Sequence, residues 1–226
     1  IDQKKRRPSA VPSPVEKSSP REKLSLAQQL GLGIRKIVID TGHGGKDPGA
    51  MAFGLKEKDI VLKISRKIAN ILKTNNRYEV ILTRNKDVFI PLEERTAVAN
   101  RTKSDLFISI HVNAHSDQAS GGIETYFLNL ATDASAMRVA ALENATSTHS
   151  IGELQDILSS LMKNAKVDES SRLARFVQTN LVSGFGRANK LRDLGVKQAP
   201  FYVLIGAEMP AILAEIAFIT NPSEAK

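Results

Sequence analysis

Three runs in this chain, Lys36–Asp40 (KIVID), Asp105–His111 (DLFISIH) and the apolar stretch Ala211–Ile216 (AILAEI), constrain the fold more than any other feature. A strand with one wet face alternates apolar and polar residues, whereas a near-continuous apolar run suits a strand covered on both faces. Between the runs the period changes. Ile60, Val61, Ile64, Ile68 and Ile71 fall at helical spacing within Glu57–Leu72, and Pro91–Asn100 reads as a helix with Pro at its first turn. Glu79–Thr83, Gly122–Leu128 and Phe201–Leu204 read as further strands. The expected fold class is therefore α/β: a single domain with a twisted, mostly parallel or mixed sheet of about six strands and helices on both faces. A chain of 226 residues is long enough for one well-buried domain of this kind.

Two segments depart from that pattern. Residues 131–183 carry apolar stripes at Met137–Leu142, at Leu154, Ile157, Leu158, Leu161 and Met162, and at Leu173, Phe176, Val177 and Leu181. This helical stretch is longer than a crossover needs, so it reads as an insertion, which either covers a site or simply adds helical packing. At the other end, residues 1–23 hold seven Lys/Arg against three acids, with Pro8, Pro12, Pro14 and Pro20. Half of the net charge of +8 sits there, in a segment with too little apolar surface to offset its ordering entropy. Residues 1–34 are thus expected to be a Pro-rich basic linker or tail, and 35–226 the domain. The body is mildly basic, lacks Trp and shows no nucleic-acid-binding spacing, so no nucleic-acid partner is expected. No run approaches the roughly 18–20 apolar residues of a membrane span. The first residue is Ile, so the chain is expected to be a processed piece without its signal peptide. Nothing in the pattern indicates an oligomer seam, and a monomer is expected.

The absence of cysteine excludes disulfide frameworks, thiolate metal sites and cysteine nucleophiles, leaving His, Asp and Glu to carry any metal or acid–base chemistry. There are four histidines. His43 follows a strand in a glycine-flanked loop, and His111 ends another strand; both positions fall at the carboxyl rim of an α/β sheet, where side chains converge. Two such histidines suit a tetrahedral zinc site with three protein ligands and an open position. Taken singly, each is equally a hydrogen-bonded loop histidine. Glu57, at the start of a helix, is the best-placed third ligand, its alternative being a first-turn acid that complements the helix dipole. His115 and His149 are weaker candidates. Glu215 is the sharpest signal, a lone carboxylate within an apolar strand, where burial is costly without a cation or a reacting proton and raises the pKa toward a general base's range. Glu124 is a weaker case, because alternation can face it to solvent. Asp40 and the glycine loop are expected to orient the His43 imidazole.

The phrase Ile39-Asp-Thr-Gly-His-Gly-Gly-Lys-Asp-Pro-Gly49 resembles the opening motif of zinc-dependent N-acetylmuramoyl-L-alanine amidases of the amidase-3 type. Leu55-Lys-Glu-Lys58, Leu82-Thr-Arg84, Leu92–Asn100 with Arg95, Asp105–Asn113, Gly122-Ile-Glu-Thr-Tyr126 and Leu213–Asn221 continue the resemblance in order over residues 36–226. Ala217 stands where that family usually has Gly, and the chain stops soon after Asn221, where the family continues. The resemblance implies His43, Glu57 and His111 as ligands of one Zn2+ and Glu215 as the catalytic carboxylate. It implies hydrolysis of the amide between N-acetylmuramic acid and L-alanine in peptidoglycan, in the periplasm or cell envelope. The insertion further resembles that of Gram-negative cell-division amidases, whose helices block the zinc cleft until a LytM-type activator displaces them. There a Glu in a Glu-Asn-Ala phrase supplies an inhibitory fourth ligand; Glu143 of Glu143-Asn144-Ala145 matches it, its alternative being an exposed helix acid. Two other functions stay open at this point: a non-catalytic cell-wall binding module, and a zinc peptidase acting within the stem peptide.

Overall fold

The computed structural model describes residues 33–74, 77–131, 133–147 and 166–226. The compact unit spans Ile34–Lys226. Its centre is a six-stranded sheet in the order β4-β1-β5-β8-β6-β7, formed by β1 (Lys36–Thr41), β4 (Glu79–Leu82), β5 (Leu106–Asn113), β6 (Ile123–Leu128), β7 (Asp193–Ala199) and β8 (Ala211–Phe218). Every neighbouring pair runs parallel except β6 and β8, so the sheet is mixed but mostly parallel. A two-stranded hairpin, β2 (Met51–Ala52) and β3 (Leu55–Lys56), leads into helix α1 (Glu57–Thr74). Helices α2 (Leu92–Arg101), α3 (Ala134–Glu143) and α4 (Val167–Leu181) complete the main elements.

Alternation along β1 shows how both faces are covered. Ile37 and Ile39 pack with Val61 and Ala69 of α1 and with Leu173 and Leu181 of α4. Val38 points the other way, into a second core with Ala99 of α2, Val139 and Ala140 of α3, and Phe107, Tyr126 and Leu213 from neighbouring strands. Parallel strands need crossovers, and helices supply them here, which is why β1, β5 and β8 carry no solvent-exposed face. The helical stretch between β6 and β7 is one such crossover. Its apolar stripe at residues 154–162 lies outside the described residues, as does His149.

The structure corrects the sequence reading in four places. Phe201–Leu204 is not a strand; Tyr202–Leu204 is a short 3-10 turn whose Phe201, Val203 and Leu204 are buried in the second core. The apolar run there records burial rather than extended backbone. The sixth strand is instead β7, a half-buried edge strand whose polar sequence DLGVKQA carries no apolar run to announce it. Ile71 of α1 and Phe176 of α4, expected in buried stripes, are 68% and 69% exposed. On α4 the inward positions are Ser170, Ala174 and Gln178, where small and hydrogen-bonded side chains let the helix approach the sheet closely.

Candidate metal centre and active site

The parallel register carries polar residues to one rim of the sheet. On β1, β5 and β8 the core-facing positions end in Asp40, His111 and Glu215, and His111 stands directly opposite Glu215 in the β5–β8 pairing. Beyond β1 the chain turns sharply through His43, whose φ is 55°, Gly44 and Gly45. The turn sets the His43 and His111 rings edge to face, 4.9 Å apart. Glu57 opens α1, yet its carboxylate does not cap the helix. It is 1% exposed and reaches between the two imidazoles, with Oε1 3.1 Å from His111 Nδ1 and Oε2 3.1 Å from His43 Nε2. The backbone amides of Val112 and Ala50 each donate to one of its oxygens at 2.9 Å, which fixes the carboxylate while leaving lone pairs toward the histidines. Gly49, at φ 64°, passes so close that a Cβ there would sit 2.6 Å from both Glu57 Oε2 and the His43 ring.

Glu143, the last residue of α3, enters from the opposite side. Its Oε2 lies 2.8 Å from His111 Nδ1 and 3.3 Å from His43 Nε2. One ligand atom from each of His43, Glu57, His111 and Glu143 falls within 4.8 Å of all the others. His43 Nε2 and the Glu143 oxygen are both buried without a hydrogen-bond partner, although they lie close together. Two nitrogens and two carboxylates converging with unused lone pairs fit a divalent cation and leave a protein-only arrangement short of donors. Charge points the same way. Burial favours neutral imidazole, but Glu143 and Glu57 outweigh it, raising His43 strongly and pushing His111 up to about 10. Glu57 and Glu143 are held below the usual carboxylate range despite burial, because the imidazoles face them. The cluster requires positive charge, which protons or a metal ion can supply.

Glu215 is fully buried, and neither carboxyl oxygen has a hydrogen-bond partner. Burial, then the neighbouring charge of Glu143, raises its pKa well above the ordinary carboxylate value. Its carboxylate therefore binds a proton more tightly than an exposed one does, the direction that acid–base work requires. Glu124 also proves buried, at 1% exposure, and not solvent-facing. It stands opposite Glu215 across the antiparallel β6–β8 pair and takes hydrogen bonds from Asn113 Nδ2 (2.6 Å) and Lys197 Nζ (2.7 Å).

Asp40 does not orient His43. Its carboxylate is occupied by Thr83, Ser109 and Arg95. Asp47 performs that task, with Oδ2 2.9 Å from His43 Nδ1 and Oδ1 accepting from Gly49 N. A proton on Nδ1 shared with Asp47 leaves Nε2 free for the cluster. The signal was present in the sequence, a carboxylate four residues beyond the histidine in one turn. His115 lies apart, its Nδ1 accepting from Asp117 N.

An α/β domain with a four-side-chain cluster able to hold a metal ion at the carboxyl rim of its sheet, and a bare buried carboxylate beside it, is the class these features define. Within that class, the family model described as N-acetylmuramoyl-L-alanine amidase matches residues 37–226, and the chain belongs to that family. The chain is 37% identical over 199 residues to the amidase AmiC of Neisseria meningitidis and 34% identical over 197 residues to AmiC of Escherichia coli. These matches cover 84% and 83% of the chain but 47% and 46% of those proteins, so it spans about half their length. Among solved structures, the N-acetylmuramoyl-L-alanine amidase of Clostridium difficile 630 is similar, with 33% identity and a TM-score of 0.64, covering 85% of this chain and 84% of that one. Among the described residues, no helix is long and apolar enough to cross a membrane.

Proposed function

We propose that this chain is a zinc-dependent amide hydrolase that cleaves the bond between N-acetylmuramic acid and L-alanine in peptidoglycan. In this reading residues 35–226 are the catalytic domain, working as a monomer in the periplasm for wall remodelling and daughter-cell separation. The basic segment 1–34 serves as a tether. The observation that carries the proposal is the convergence of His43, Glu57, His111 and Glu143 within 4.8 Å, beside a fully buried Glu215. Family membership supports the choice of substrate.

His43, Glu57 and His111 hold the ion. When bound, zinc supplies Lewis acidity, polarising the scissile carbonyl and making water at the site more acidic. Glu215 takes the proton of the attacking water on a carboxylate oxygen and returns it to the departing alanine nitrogen. Its raised proton affinity suits both transfers. Asp47 holds the His43 tautomer. With the ion bound, Glu143 would take the position that water and substrate carbonyl require, so helix α3 holds the domain inactive until an activator, of the LytM type that the family resemblance implies, draws it away.

Zinc content and Glu215→Ala test the reading together. Made in a Glu143→Ala background, in which the site is open, the variant is expected to retain one equivalent of zinc and to lose release of stem peptides from purified peptidoglycan by about 10²–10⁴-fold relative to Glu143→Ala alone. Turnover near the Glu143→Ala rate removes Glu215 from the mechanism, and a protein without stoichiometric zinc points to a non-catalytic wall-binding module.

A further inference from the structure

Behind the metal cluster two guanidinium groups are buried, Arg84 at 2% exposure and Arg95 at 1%. Asp40 is in contact, 3.1 Å from Arg95 Nη1, while Asp87 and Asp59 act on Arg84 from farther off. Among the described residues, the remaining guanidinium donors go to backbone carbonyls. Arg95 donates to Thr41 O (2.9 Å), His43 O (3.1 Å) and Ile90 O (3.0 Å). Arg84 donates to Thr41 O (3.1 Å), and a single nitrogen, Nη2, donates both to Gly42 O (2.6 Å) and to Lys58 O (2.9 Å). Three consecutive carbonyls, of residues 41, 42 and 43, are thus turned inward onto the arginine pair.

That arrangement bears on the ligands. His43 has a φ of 55°, a left-handed backbone that a non-glycine residue adopts only when its surroundings hold it there. Arg95 grips the His43 carbonyl, and Arg84 ties the neighbouring Gly42 carbonyl to Lys58, the residue after Glu57. The pair therefore joins the two backbone segments that deliver His43 and Glu57. The fit is tight: at Gly44, with φ 123°, a Cβ would lie 2.7 Å from Arg84 Nε. A lysine would keep the charge, but its point ammonium cannot copy the planar fork that reaches carbonyls on separate segments.

We propose that Arg84 and Arg95 are positioning residues for the metal centre, holding the backbone of His43 and Glu57 in the geometry that binds the ion. The inference rests on the reading of His43 and Glu57 as metal ligands. It assigns to these arginines the metal's affinity and coordination, beyond general stability.

The test measures zinc affinity by competition with a chromophoric chelator, and the visible spectrum of the cobalt-substituted protein, for wild type, Arg95→Lys, Arg84→Lys and Val80→Ala. Val80 is a core residue of β4 that pairs with Ile37, toward the end of β1 away from the His43 turn, so Val80→Ala lowers stability without disturbing the clamp. The expected result is a 10–100-fold loss of zinc affinity and altered cobalt bands in either lysine variant, with both unchanged in Val80→Ala. Wild-type affinity in a folded lysine variant overturns the proposal, as does an equal loss in Val80→Ala. If Arg95→Lys does not fold, Arg84→Lys carries the same comparison. A wild-type protein that binds no zinc overturns the ligand reading itself, and that failure appears before any variant is compared.

Discussion

Replacing Glu143 by Ala removes the one carboxylate that α3 places in the metal cluster. In the closed arrangement its Oε2 is 2.8 Å from His111 Nδ1 and 3.3 Å from His43 Nε2, and the charge of both imidazoles holds its pKa down. In the zinc-loaded protein the same oxygen would face the ion in place of imidazole protons; counted as one charge-assisted interaction, it contributes about 1.5–3 kcal/mol. At about 1.4 kcal/mol per tenfold, its loss shifts the closed-to-open ratio roughly 10–100-fold. Basal hydrolysis rises by that factor while the closed form still dominates, and by less once it does not. The rest of α3 stays anchored, because Asp133 caps it, Arg138 donates to Ala114 O, and Asn144 bonds Pro200 O and Tyr202 N. The variant should therefore fold and unfold much as wild type does. The assay is release of soluble stem peptides from purified peptidoglycan at saturating zinc, with no partner protein added. Unchanged or lower basal activity in a folded, zinc-loaded Glu143→Ala refutes the inhibitory role.

Three further outcomes follow from the same contacts. Asp47→Ala takes away the group that holds the His43 tautomer, and zinc affinity should fall about 10–100-fold by chelator competition; unchanged affinity removes Asp47 from the site. In the metal-free protein both imidazoles bind protons more tightly than in the unfolded chain, His111 up to about 10. The stabilising contribution of His111 is thus complete below the unfolded value of about 6.5 and is lost as pH rises through about 10, while that of the more strongly raised His43 persists to higher pH. Because zinc must displace those protons, its apparent affinity should climb steeply between pH 6 and 8, by about tenfold per pH unit for each proton released. Calorimetry in buffers of different ionisation enthalpy counts them, and zero proton release contradicts the charge account. Asn144→Ala removes two hydrogen bonds that anchor the end of α3, worth about 1 kcal/mol each, and should raise basal hydrolysis without changing zinc content. A fall in basal activity with zinc retained would show that this anchor serves catalysis.

What the sequence revealed and what it hid divide along physical lines. Strands β1, β5 and β8 were legible because burial on both faces imposes a local apolar run, and α1 because its period is local. Strand β7 was not, since an edge strand is defined by its partner β6 and not by its own composition. His43, His111 and Glu215 stood out because the residue types are rare or costly where they occur. Glu124 was misjudged because its burial depends on the antiparallel β6–β8 register, a non-local fact. The role assigned to Asp40 failed for a related reason. Its position beside the motif suggested contact with His43, whereas its side chain follows the pleat toward Arg95 and Ser109, and the loop itself brings Asp47 to the ring.

The bond that is cut distinguishes an amidase from a stem-peptide peptidase. Mass spectrometry of the soluble fragments that zinc-loaded wild type and Glu143→Ala release from purified peptidoglycan reads it directly. The expected products are intact stem peptides with a free L-alanine amino terminus, and glycan strands whose muramic acid keeps its lactyl carboxyl. Fragments cut within the stem peptide or within the glycan contradict the amidase reading.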